Sequence, residues 1–214
     1  MPSRTTIAAR SAAPKVKRRA AEILAAAAKV FARRGYHGAS TKDIADVLGV
    51  RQASIYYYFE SKEAALEAVC VDGIADYGKH ALAILRGPGS AAHKVAKLVF
   101  HHLSPVVERQ DFTLVFLRER RFLPELARKR IRAIEKHYER IIQKVIEQGM
   151  SRGEFRADLD ARMATLALLG LGNSAAAWYG RELGATFERI TASYVDLLVR
   201  AFRKGEAPQL RVMH

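Results

Sequence analysis

Gln52, Ala53 and Ser54 stand just ahead of three consecutive tyrosines, Tyr56, Tyr57 and Tyr58. In the DNA major groove a glutamine amide pairs with adenine, a serine hydroxyl meets several base edges, and an alanine methyl packs on the thymine methyl. Phenolic hydroxyls suit phosphates or bases at the groove wall. A helix this short cannot bury three tyrosine hydroxyls with partners, so an exposed, polar face is expected. Lys62 opens the next predicted helix, where an ammonium and a helix N-terminus together favour a phosphate. The chemistry is that of recognising double-stranded DNA.

Such residues need a short, braced helix to present them. Ser40 or Thr41 is expected to cap a helix whose Ile44, Ala45 and Leu48 point inward, and Gly49 to stop it. A second short helix, about 52–59, buries Ile55 and Phe59. Two short helices around a glycine turn make a helix-turn-helix, in which the second offers its face to the groove. A preceding helix over about 15–34 places Ile23, Leu24, Ala27, Val30 and Phe31 on one face and ends at Gly35. Ser61, with Glu63 and Glu67 in the opening turns, starts a helix running to about Arg86. Past the Gly87-Pro88-Gly89 break, further helices are expected at about 90–109, 111–122, 124–151, 160–180 and 186–203, with Pro105 kinking or interrupting the first of them. The fold class is therefore all-α, with about nine helices and no sheet.

The pattern Thr41, Ile44-Ala45, Leu48-Gly49-Val50, Ile55-Tyr56-x-x-Phe59, then Ser61-Lys62-Glu63 and Leu66 resembles the TetR family of bacterial transcription regulators over about 20–69. The resemblance implies an all-helical, cytoplasmic homodimer with an N-terminal DNA-binding domain and a larger ligand-binding domain, in which a small effector releases the operator. By position, Thr41 and Lys62 fall on phosphate contacts, Gln52, Ala53, Ser54, Tyr57 and Tyr58 on the recognition face, and Tyr56 on a backbone contact. Arg51 replaces a residue that is often small or acidic, and Tyr58 stands where many members carry His. The expected division is a flexible basic arm (1–14), a helix-turn-helix domain (15–60), a ligand-binding and dimerisation domain (61–205) and a tail (206–214).

The charge fits two anionic partners. The chain of 214 residues carries 36 Lys+Arg against 22 Asp+Glu, a formal net charge of +14. Residues 1–60 hold 11 basic and 4 acidic groups, and residues 118–132 hold seven basic groups against Glu119 and Glu125. Arg118-Glu119-Arg120-Arg121-Phe122-Leu123-Pro124, the basic helix after it, Gly149…Gly153-Glu154-Phe155 and Asn173…Trp178-Tyr179 resemble the branch of the family that senses acyl-coenzyme A thioesters. Arginine forks suit phosphates, and Arg118 and Arg121 share a helix face at i and i+3. Phe100, Leu103, Leu114, Phe116, Leu117, Leu166 and Leu169 are candidates to line an apolar tunnel, with Asn173, Trp178 and Tyr179 among the ligand contacts. The last two helices resemble the pair through which the family forms dimers. Two-fold symmetry would set the recognition helices about 34–36 Å apart on a palindromic operator.

Other classes have less support. A single cysteine, Cys70, excludes an intrachain disulfide framework and a zinc site of several thiolates. His93, His101 and His102 lack metal-ligand spacing. Gly170-x-Gly172-x-x-Ala175 matches a dinucleotide-binding expression but lies in a predicted helix with no strand before it. The apolar stretch 163–179 is too short and too polar to span a bilayer. No nucleophile elbow, Walker loop or paired-carboxylate site is present, so neither catalysis nor a cofactor is expected. The rival readings are a regulator answering an uncharged lipophilic or drug-like ligand, an acyl-CoA-binding enzyme without a DNA role, and a DNA binder indifferent to sequence.

Overall fold

The computed structural model describes residues 14–182 and 184–203; the expected arm up to residue 13 and the expected tail (206–214) lie outside the described residues. Among the described residues the regular structure is helical throughout. The helices are α1 (Pro14–Gly38), α2 (Thr41–Leu48), α3 (Gln52–Tyr56), α4 (Lys62–Ile74), α5 (Tyr77–Arg86), α6 (Ala91–Glu108), α7 (Gln110–Glu119), a 3-10 turn (Arg120–Phe122), α8 (Glu125–Ser151), α9 (Ala161–Trp178) and α10 (Phe187–Phe202). The all-α class and the order of elements agree with the sequence.

The chain forms two compact units, and they do not follow chain order. The first combines residues up to Asp76 with Pro105–Lys136; the second combines Tyr77–Ser104 with residues from His137 onward. In the first unit Ile23, Ala27 and Phe31 of α1 are buried with Ile44, Ile55, Leu66, Val69 and Val115. In the second, Val95 and Leu98 of α6, Ile142, Val145 and Ile146 of α8, Leu168 of α9 and Phe202 of α10 make one apolar cluster. Here Gly149 is required by close approach, since a Cβ on it would run into the ring of Phe155 and the methyl of Ala91.

Local signals act at the residues the sequence names, although the first helix resumes past Gly35 as far as Gly38. α1 bends at Gly35, whose φ of 67° lies in the left-handed region that favours glycine. Ser40 caps α2 through a reciprocal box with Asp43, and Gly49 closes it at φ 62°. Ser61 caps α4 by accepting the Ala64 N–H.

Three expectations change. The helix expected from Ser61 to about Arg86 is two helices, parted at Ala75 and Asp76. Arg109 explains the stop: its guanidinium donates to the carbonyl of Asp72 at 3.0 Å and pairs with the Asp72 carboxylate, serving the helix end from outside. Pro105 lies inside α6 without ending it. The helical part of the recognition element stops at Tyr56, with Phe59 buried just beyond it. The stretch 163–179 falls almost wholly within α9, and no described helix is long and apolar enough to cross a membrane.

Candidate nucleic-acid interface

α2 and α3 hold the candidate DNA contacts, and Thr41 ties them together. Its side chain is buried at 6% exposure. Its hydroxyl accepts from Gln52 Nε2 at 2.8 Å and lies 3.2 Å from the Tyr56 hydroxyl. The first residue of the bracing helix thus fixes the amide of the first residue of the recognition helix. Arg51, Gln52, Ala53 and Ser54 are exposed, as are Tyr56 and Tyr57 at 51% and 81%. Tyr58 is half-buried and meets the Tyr57 ring edge-on at 5.1 Å. Ile55 and Phe59 face the core, which turns the remaining side chains of the segment outward. The structure therefore brings Thr41, Gln52 and Tyr56 into one hydrogen-bonded group and leaves Ala53, Ser54 and Tyr57 open to a groove.

Lys62 is placed differently from a free phosphate ligand. Its ammonium donates to the carbonyls of Tyr36 and Ala39, both at 3.0 Å, and sits 4.3 Å from the Tyr36 ring centroid. One of its three N–H groups remains for another acceptor. Tyr36 itself is buried, and its hydroxyl donates to the Glu63 carboxylate. Burial, reinforced by that carboxylate, pushes the Tyr36 hydroxyl up to about 12, and the same bond holds Glu63 below the usual carboxylate range.

The C-terminus of α7 also meets the end of α1. Glu119 Oε2 accepts the Tyr36 backbone N–H at 2.8 Å. Phe122 stacks on the Tyr36 ring at 5.7 Å and meets His37 edge-on at 4.4 Å. The sequence marked the segment 118–122 by its charge and by the resemblance to the acyl-CoA-sensing branch, neither of which pointed to a contact with Tyr36 and His37.

The basic stretch 118–132 divides by partner. Arg120 pairs with Glu135 at 3.7 Å and lies over the Phe116 ring, Lys129 pairs with Glu125 at 2.7 Å, and Arg130 with Glu67 at 2.6 Å. Arg118, Arg121, Arg128 and Arg132 are exposed and have no acidic partner among the described residues. Arg121 rests 4.7 Å from the Phe122 ring centroid. On α7, Leu114 and Leu117 are half-buried.

In the second unit, Leu103 is core at 2% exposure, whereas Phe100 and Leu166 are exposed at 45% and 39%. Phe100 meets Phe187 edge-on at 5.3 Å. Trp178 and Tyr179 pack half-buried against the apolar cluster, and Asn173 is exposed. His102 is buried against Gly172 and held below its ordinary value, at about 4, by desolvation. Gly170 and Gly172 lie within α9, so the dinucleotide-loop geometry is absent there. No His, Cys, Asp and Glu cluster suited to a metal occurs among the described residues. Burial pushes the Cys70 thiol up to about 12, which leaves it a small apolar group.

Two short helices around Gly49, a buried apolar face and an exposed Gln-Ala-Ser-Tyr face define a helix-turn-helix DNA-binding protein. Residues 23–69 match the family described as bacterial regulatory proteins, tetR family, and residues 88–202 match the tetracyclin repressor-like C-terminal domain. The chain belongs to the TetR family and is a ligand-responsive transcription regulator. It is similar to the fatty acid metabolism regulator protein of Bacillus subtilis, 26% identical over 179 residues that make up 83% of this chain and 92% of that one. A tetR-family regulatory protein from Rhodococcus RHA1 superposes with a TM-score of 0.80 at 26% identity, covering 87% of this chain and 98% of the other. FadR from Bacillus subtilis, solved in complex with stearoyl-CoA, superposes with a TM-score of 0.70 at 24% identity over 85% of this chain and 98% of that one, a likeness of fold.

Proposed function

We propose that the protein is a homodimeric, cytoplasmic repressor that binds a palindromic operator and is released by an acyl-CoA thioester. The division into a helix-turn-helix domain over 15–60 and an effector and dimer domain over 61–205, with α9 and α10 pairing the protomers, belongs to this reading. Gln52, Ala53, Ser54, Tyr57 and Tyr58 would read bases, while Thr41, Arg51, Tyr56 and Lys62 would hold the backbone. Arg118 and Arg121 would take the phosphates of the thioester, beside Leu114 and Leu117. Phe100, Leu103, Leu166, Asn173, Trp178 and Tyr179, the other ligand contacts expected from the sequence, lie in the second unit.

The observation that carries the effector class is the set of arginines left without acidic partners in 118–132, when Arg120, Lys129 and Arg130 beside them are ion-paired. Exposed arginines without carboxylates offer their forks to a polyanion. The stearoyl-CoA in FadR and the name of the Bacillus subtilis fatty acid regulator support the same class. An effector displaces the operator only through different affinity for two protein states.

The test is titration of stearoyl-CoA into the operator complex of the full chain, with stearate and free coenzyme A as controls. Release by the thioester at concentrations where both controls fail is expected. Retention of the complex throughout the series would remove the acyl-CoA effector and favour an uncharged lipophilic one.

A further inference from the structure

The residues between the basic turn and the recognition helix form an unbroken series of contacts, all within the first unit. Arg121 lies over the Phe122 ring at 4.7 Å. Phe122 stacks on Tyr36 at 5.7 Å. Lys62 lies over Tyr36 at 4.3 Å and holds the carbonyls at both ends of the turn Tyr36–Ala39. Ser40 follows at once and caps α2, whose first residue, Thr41, fixes the Gln52 amide. Glu119 fastens the same turn from the other side by accepting the Tyr36 N–H.

We propose that this clasp, Glu119 and Phe122 on the end of α1, is the joint through which an anion at Arg121 changes operator affinity. The proposal rests on reading Arg118 and Arg121 as phosphate contacts. Tyr36 follows Gly35, whose positive φ bends the helix there, and its N–H donates to the Glu119 carboxylate. With the clasp closed, α2 starts from a fixed position and Gln52 is held ready, which lowers the ordering cost of binding DNA. A phosphate that pairs with Arg121 competes for the guanidinium resting on Phe122. It also brings negative charge toward Glu119, two residues away. Both effects favour the open clasp. The two-state element is thus the Tyr36–Glu119 bond with the Phe122 stack, either formed or released. α4 ends at Ile74, with Arg109 serving the Asp72 carbonyl in its last turn, so a continuous rod from Ser61 to Arg86 is not available to carry the signal, and the clasp supplies another route.

The experiment compares the full-length wild type with Glu119→Ala, Glu119→Gln, Phe122→Ala and Phe122→Tyr. Operator affinity is measured by anisotropy with and without stearoyl-CoA, and stearoyl-CoA affinity by calorimetry on DNA-free protein. The alanine variants are expected to bind operator about tenfold more weakly without effector, and to lose most of the further weakening by stearoyl-CoA. Their affinity for stearoyl-CoA in the absence of DNA should not fall. Glutamine keeps the acceptor and tyrosine keeps the ring, so both conservative variants should bind operator like wild type without effector. Phe122→Tyr should also be released like wild type, whereas Glu119→Gln, lacking the charge, should keep only the part of the release that runs through Arg121 and Phe122. Wild-type operator affinity in both alanine variants would overturn the clasp. So would an unchanged release ratio, which is what simple loss of stability would give. If wild type binds no stearoyl-CoA, the effector reading falls, while the operator affinities of the four variants still decide whether the clasp holds the recognition helix.

Discussion

Thr41 is a buried hydroxyl lying between Gln52 and Tyr56, residues 11 and 15 positions further along the chain. Types and spacing were enough to mark Gln52 and the tyrosines, because base-reading chemistry is local to their segment. They could not show that Thr41 holds the amide, since that depends on how two helices fold across Gly49. Gln52→Ala is expected to relax preference at one operator position by about 1–3 kcal/mol while leaving other positions intact. Thr41→Val keeps the shape and removes the hydroxyl, so it should relax the same position. Binding to a set of single-base operator variants measures both; an unchanged profile would remove Gln52 from the base contacts.

At the scale of elements, start and stop residues were legible wherever the cause was local. Ser40 with Asp43, Gly35, Gly49 and Ser61 act within a few residues of themselves. The break after Ile74 was not legible, because Arg109, which serves the Asp72 carbonyl, lies 37 residues away. The clasp was hidden for the same reason, since Glu119 reaches a backbone N–H 83 residues earlier. Close approach between elements also escapes a sequence reading. Gly149 lies inside α8, as the expected helix over 124–151 had it, but nothing local to it shows that Phe155 and Ala91 leave no room for a Cβ. Gly149→Ala should therefore destabilise the second unit by about 1–3 kcal/mol through overpacking, despite the better helix propensity of alanine. Denaturant unfolding would register it; a gain in stability would mean the site yields.

At the scale of the whole molecule, the +14 charge is concentrated in two stretches. The excess in the first 60 residues belongs with the recognition segment and supplies affinity that weakens with salt. The second excess, over 118–132, belongs to the same compact unit as the helix-turn-helix although it lies far away in sequence. A basic centre read as remote is thus housed with the element it is proposed to regulate, which chain order alone could not reveal. The all-helical class and the family were legible because a 50-residue segment carries both; the pairing of distant segments into units was not. Charge by itself would bind any DNA, so specificity is what separates a regulator from a basic bundle. The direct measurement is selection of bound duplexes from a random pool by the full chain, followed by equilibrium binding of the winner and its scrambled counterpart at one salt concentration. A palindrome bound on the order of a thousandfold more tightly than the scrambled duplex is expected. Equal affinity for the two, or selection of no common sequence, would contradict sequence-specific regulation.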